Sequence, residues 1–180
     1  MKKMMMIALV TVVALMPLAA GGQSEDDGVT RLTVATDATW PPMEYINEDQ
    51  EIVGFDIDLM KAIAEAGGFE VEFQNTAWDG IFAGLANRDY DAVISSVTIT
   101  EERQRTMDFS MPYINAGQVL IVRQDAPAGW QALEDLTGES VGAQIGTTGA
   151  IEVGSVDGVE LRTYDELGLA IEDLAQGRVA

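Results

Sequence analysis

Short runs of β-branched residues alternate along this chain with stretches in which apolar residues recur every three or four positions. Arg31 to Thr36 (RLTVAT) reads as a buried strand that ends in polar residues. Phe55, Leu59, Ala62, Ile63 and Ala66 fall on one helical face, and Gly67-Gly68 closes that helix. Val71 to Phe73 predicts a second strand, Ile81, Phe82 and Leu85 a second helix, and Asp91 to Ile94 a third strand. Thr100-Glu101-Glu102 opens a further helix with a hydroxyl cap and two acids in its first turn. Gln118 to Arg123 (QVLIVR) predicts another strand. After Asp125 to Gly129 the alternation resumes: a helix near Trp130 to Leu136, a strand over Ser140 to Gln144, and a helix after Gly146. A strand near Val159 to Arg162 and a helix from Asp165 to about Gln176 complete the series.

Such alternation predicts an α/β fold with largely parallel sheets. The fresh start near residue 116 divides it into two lobes, 31–115 and 116–180. Ligands of open α/β sheets sit beyond the carboxyl ends of strands. Three segments therefore draw attention: Asp37 to Pro42, where two prolines bar regular structure, Ser95 to Arg103, and Ile145 to Ala150.

The N-terminus follows a different pattern. Lys2 and Lys3 precede an apolar run from Met4 to Leu18, and Ala19, Ala20, Gly21 and Gly22 follow. A basic start, a short apolar middle and a small-residue end predict a secretory signal peptide over 1–22 and a flexible stretch over 23–30. The run is about 15 residues, shorter than the roughly 20 that cross a bilayer. The expected location is the periplasm or the cell exterior.

Composition then narrows the chemistry. The 180 residues contain no Cys and no His, which excludes disulfides, lipobox anchoring, Cys/His metal sites and Ser-His-Asp triads. No cofactor and no metal is expected. The formal net charge is −20, and removal of Lys2 and Lys3 makes it −22. Such a field repels nucleic acid and anionic lipid, so neither is expected as a partner.

Candidate binding residues lie in the three loops. The hydroxyls of Ser95, Ser96 and Thr98 leave a strand toward a helix start, and the planar Arg103 guanidinium suits a carboxylate. On residue types alone, a surface pair of Arg103 with Glu101 or Glu102 is the reading that comes first. Gly146-Thr147-Thr148-Gly149 repeats the hydroxyl-rich device in the second lobe. Asp37 suits an ammonium or a cationic side chain, or else a turn capping its own backbone. Trp40 and Trp78 suit stacking on a ligand body, or plain core packing.

In combination, VGFDIDL (Val53 to Leu59), SSVTITEERQR (Ser95 to Arg105), DFSMPY (Asp108 to Tyr113) and GTTG (146–149) carry more weight. Over about Leu32 to Val179 the chain resembles the periplasmic polar-amino-acid-binding proteins of ABC importers, solute-binding family 3. The resemblance implies a two-lobed periplasmic-binding-protein-like fold in which Ser95, Ser96, Thr98 and Arg103 hold the ligand α-carboxylate and Thr148 joins from the second lobe. It implies Asp37 on the ammonium or a basic side chain, and Trp40 and Trp78 sandwiching the ligand. Phe55 and Leu59 would pack, with Asp56 and Asp58 organising the helix start. A monomer closing about a hinge near Asn115 to Gly117 and delivering an amino acid, polar or basic, to ABC permease subunits is expected. A cyclohexadienyl-dehydratase-like enzyme and a receptor's sensing module are the alternatives on this fold.

Two departures stand out. Family members run about 60 to 80 residues longer, so the second lobe is expected to be incomplete, its final strand, the return crossing and the aspartate that meets the α-ammonium being absent. Gly149 also stands where many relatives carry a polar side chain.

Overall fold

The computed structural model describes residues 28–180; the expected signal peptide lies outside the described residues. Strand β1 (Arg31–Thr36) is the centre of a three-stranded parallel sheet, flanked by β5 (Glu70–Asn75) and β6 (Ala92–Val93). Its register on β5 runs from Arg31 opposite Glu70 to Thr36 opposite Asn75. Being paired on both edges, β1 carries the sheet's most buried residues, Val34, Ala35 and Thr36.

Between β1 and the first helix the chain builds a small antiparallel sheet rather than a plain loop. Its strands are β2 (Thr39–Trp40), β3 (Glu44–Ile46) and β4 (Ile52–Val53), with Trp40 opposite Glu44 and Tyr45 opposite Val53. The prolines sit in the connection between β2 and β3, where no ladder donor is needed. Gly54 then turns the chain into helix α1 (Phe55–Gly67). Its φ is 133°, and a Cβ there would collide with the Met43 carbonyl. Ile57 and Ala64 bury the inner face of α1, and Gly68, at φ 70°, closes it by donating its N–H to Ala64 and Glu65.

The expected roles in the VGFDIDL segment need correction. Phe55 is half-exposed and stacks at 6.4 Å on Tyr113. Asp56 is fully buried and faces a distant turn rather than its own helix start, which has no side-chain cap.

Helix α2 (Ile81–Asn87) presses on a core of Ala35, Trp78, Ile81 and Tyr90. Helix α3 (Glu101–Gln104) is one turn long, and the Thr100 hydroxyl caps it by accepting from the Arg103 N–H at 3.2 Å.

In the second lobe, β7 (Ser140–Gln144) and β8 (Glu160–Tyr164) pair in parallel, Ser140 opposite Glu160. Helices α4 (Thr148–Gly154) and α5 (Leu167–Ala175) pack on this pair. Leu136, Val141 and Val153 form the core, with Leu120 and Trp130 against it.

Two expected elements are not formed. The segment 118–123 has no strand partner among the described residues, so its ladder groups do not pair, and Val119 and Ile121 stand exposed. The helix over Trp130 to Leu136 is reduced to one 3-10 turn, Leu133–Leu136. Asp135 reaches back to the N–H groups of Gln131 and Ala132, at 2.9 and 3.0 Å, and Gly138, at φ 92°, ends the turn. Among the described residues no helix is long and apolar enough to cross a membrane.

Candidate functional site

The carboxyl end of β1 and the end of β7 face each other across the interlobe cleft, and one side chain spans it. Gln144, the last residue of β7, is almost completely buried. Its Nε2 donates to Asp37 Oδ2 at 2.7 Å and to the Asp165 carbonyl at 2.8 Å, while its Oε1 accepts from Trp40 Nε1 at 2.7 Å. Every hydrogen-bonding position of that amide except one lone pair is thereby engaged. Asp37 Oδ1 accepts from the Thr39 hydroxyl at 2.8 Å. Asp37 is therefore no self-capping turn residue; it is a buried carboxylate partnered from both lobes. Gln144 was not legible as a site residue, although its strand-end position was the available signal.

The second meeting point is Arg103. Its Nη1 donates to the Thr98 carbonyl at 2.9 Å and its Nη2 to the Gly146 carbonyl of the other lobe at 3.2 Å. The guanidinium carbon lies 5.4 Å from the Trp78 ring centre and 5.0 Å from that of Phe82, the two rings meeting edge-on at 5.1 Å. Burial lowers the Arg103 pKa, an effect that Glu102 opposes, and a guanidinium remains charged regardless. Among the described residues no ion pair involves Arg103, which removes the surface pairing with Glu101 or Glu102. A cation held by neutral carbonyls and aromatic faces keeps its charge available to an anion.

Beside it, the Thr98 and Thr148 hydroxyls meet across the cleft at 3.3 Å, and Gln118 Nε2 donates to Thr148 Oγ1 at 2.8 Å. Thr147 serves its own helix: its hydroxyl donates to the Gln144 carbonyl at 2.7 Å and accepts from the Ala150 N–H at 3.2 Å.

Ser95 and Ser96 are tied to the scaffold beneath. Ser95 Oγ accepts from the Asp37 N–H at 3.0 Å and donates to Glu44 Oε1 at 2.9 Å. The Ser96 N–H and hydroxyl both donate to Asp56 Oδ2, at 2.6 and 3.2 Å, and the Tyr113 hydroxyl donates to the same oxygen at 2.8 Å. Burial, together with the nearby Asp56, pushes the Glu44 pKa up to about 8. Burial and the bond to Asp56 raise that of Tyr113.

Eight of the nine residues singled out in the sequence, all but Asp37, line one groove between the lobes. Trp78 does double duty, as core residue and as the aromatic face on Arg103. No cluster of metal-ligating side chains occurs among the described residues.

Two α/β lobes with a polar, interlobe cleft at the carboxyl ends of their strands define a ligand-binding protein of the type II periplasmic-binding class. The chain belongs to the bacterial extracellular solute-binding proteins, family 3, which it matches over residues 32–174. It is 35% identical over 169 residues to a probable histidine-binding protein of Neisseria gonorrhoeae, covering 88% of this chain and 62% of that protein. An ancestral arginine-binding protein bound to arginine superimposes with a TM-score of 0.80 at 43% identity, over 83% of this chain and 67% of that one. The ancestral amino-acid-binding protein AncCDT-1, a precursor of cyclohexadienyl dehydratase, superimposes with a TM-score of 0.77 at 38% identity, over 83% of this chain and 67% of that one. The chain thus spans less than two thirds of the length of the Neisseria protein.

Proposed function

We propose that the chain is the ligand-holding part of an extracytoplasmic binding protein that captures an amino acid, basic or polar, and delivers it to an ABC importer. The observation that carries this reading is the convergence of both lobes on Arg103: guanidinium bonds to Thr98 in one lobe and Gly146 in the other, flanked by the Thr98–Thr148 hydroxyl pair. A ligand carboxylate entering there exchanges two neutral carbonyl partners of Arg103 for one charge-assisted fork. The ligand's cationic end is drawn to Asp37, where it takes the place of the Gln144 amide. Trp40 and Trp78 wall the space between these ends. The histidine and arginine named for the relatives fit this polarity of anion site, aromatic walls and buried acid.

Closure of the two lobes about Asn115 to Gly117 completes the reading. We read the chain as a binder rather than an enzyme because its buried acids, Glu44 and Asp56, hold the scaffold together beneath the turn. A turnover assay on cyclohexadienyl acids checks this, with no product expected.

The test is a thermal-shift and calorimetric panel of all amino acids. Arginine, lysine, histidine or glutamine should raise the melting temperature; a preference for aspartate or glutamate overturns the assignment of Asp37.

A further inference from the structure

Glu44 and Asp56 are both fully buried, one on β3 and one on α1, and the charged groups acting on Glu44, Asp56 and Asp37, are both anions. The two carboxyls hang beneath consecutive residues, Glu44 bonded to Ser95 and Asp56 to Ser96, and burial together with Asp56 raises the Glu44 pKa. One oxygen of each, Glu44 Oε2 and Asp56 Oδ1, receives no donor from the described residues. Two ionised carboxylates in a dry site repel, and an orphaned buried oxygen is costly; one proton between them removes both penalties.

We propose that Glu44 and Asp56 share a single proton, carried by Glu44 Oε2 and donated to Asp56 Oδ1, and that this proton positions the ligand-binding end of the first lobe. The other contacts agree with that placement. Asp56 Oδ2 already accepts from the Ser96 N–H, the Ser96 hydroxyl and the Tyr113 hydroxyl, the set that suits the ionised partner. Among the described residues Glu44 Oε1 accepts only from Ser95, whose oxygen in turn accepts from the Asp37 N–H. A protonated carboxyl keeps one accepting oxygen for Ser95 and gives its proton to Asp56. The chain of contacts therefore runs from the shared proton through the Ser95 hydroxyl to the backbone of Asp37, and through Asp56 to the Ser96 turn. Glu44 is a positioning residue: it acts on the cleft through Ser95 and Asp56. The groups facing it are Asp56 of α1, Asp37 beyond β1, Ser95 beyond β6 and Tyr113.

Loss of the proton places a second charge in the site. The Ser95–Asp37 and Ser96 contacts should then loosen, in a step that follows the Glu44 value of about 8.

Nuclear magnetic resonance of the ligand-free 180-residue chain tests this from about pH 6 to about pH 10. The side-chain carboxyl carbon of Glu44 should titrate well above the ordinary carboxylate range. The backbone amides of Asp37 and Ser96 should shift with the same midpoint. Glu44→Gln keeps an acceptor for Ser95 and supplies an N–H to Asp56, so it should fold and lose the shared step at both amides. Arginine binding, which rests on the proposed function, gives a separate arm. Affinity should drop about tenfold one pH unit above the Glu44 midpoint in the native chain, beyond any loss in Glu44→Gln. The arginine amino group titrates equally in both. Titration of Glu44 in the ordinary range, or Asp37 and Ser96 amides that stay still through it, overturns the proposal. Both readings come from the native chain, so they stand even if the variant does not fold. Absence of arginine binding with the amide step present overturns the ligand reading alone.

Discussion

The two strand-to-helix turns that meet in the cleft carry the same kinds of residues and use them in opposite ways. In the first lobe, the hydroxyls of Ser95 and Ser96 are bound downward to Glu44 and Asp56, from β3 and α1. In the second, the bonds of the Thr147 hydroxyl go to the backbone of its own turn. The first turn is thus stiffened from outside, over a long sequence separation, whereas the second stiffens itself locally. Hydroxyl-rich turns that read alike in sequence divide into residues that hold the turn and residues that face the groove. Of the hydroxyls in these two turns, those of Thr98 and Thr148 reach each other across the gap.

That contrast can be attacked from either side. Arg103→Ala removes a cation bonded to both turns and should have the largest effect, weakening arginine binding about 100-fold, or ~3 kcal/mol, by calorimetry. An unchanged affinity would relocate the anion site. Gln144→Leu comes next. It strips Asp37 and Trp40 of their interlobe partner and should lower the unfolding free energy by ~2 kcal/mol in urea melts of the ligand-free chain.

A graded effect follows from pH. The folded state binds the Glu44 proton more tightly than the unfolded chain, whose value is 4.5. That contribution to stability is complete below 4.5, declines as pH rises, and is gone once pH passes about 8. Melts of native and Glu44→Gln chains across this window should diverge, the native one falling faster. Thr148→Val should matter least: it loses the contacts to Thr98 and Gln118 at a half-buried position, for ~1 kcal/mol or about fivefold in affinity.

Much of this molecule was legible because its main elements obey simple periodicities. The buried run of β1 and the extent of α1 with its terminal glycines are set by local pattern, and the structure keeps them. The face of α1 is not the expected one: Ile57 and Ala64 are buried, while Phe55, Ala62, Ile63 and Ala66 of the expected stripe are exposed. The antiparallel sheet of β2, β3 and β4 escaped notice because strands of two or three residues are too short to show alternation. The polar turn from Asn47 to Gln50 between Ile46 and Ile52 was its only sign. Strand formation over 118–123 fails for the opposite reason: the pattern is strong, but a ladder needs a neighbour, which no local pattern supplies. In the site, Arg103 and Thr148 were readable from the motif. Glu44, Asp56 and Gln144 were not, since polar residues ordinarily signal surface and only tertiary contact reveals them as buried partners.

Ser96 holds a φ of 47° without being glycine. A side chain bearing a Cβ enters that left-handed region at a cost of about 1 kcal/mol, and here two bonds to Asp56 offset it. The heading on which the polypeptide quits its sheet is accordingly dictated by an acid 40 positions upstream. Mutations that tilt the first helix would steer the mouth of the cleft without touching it.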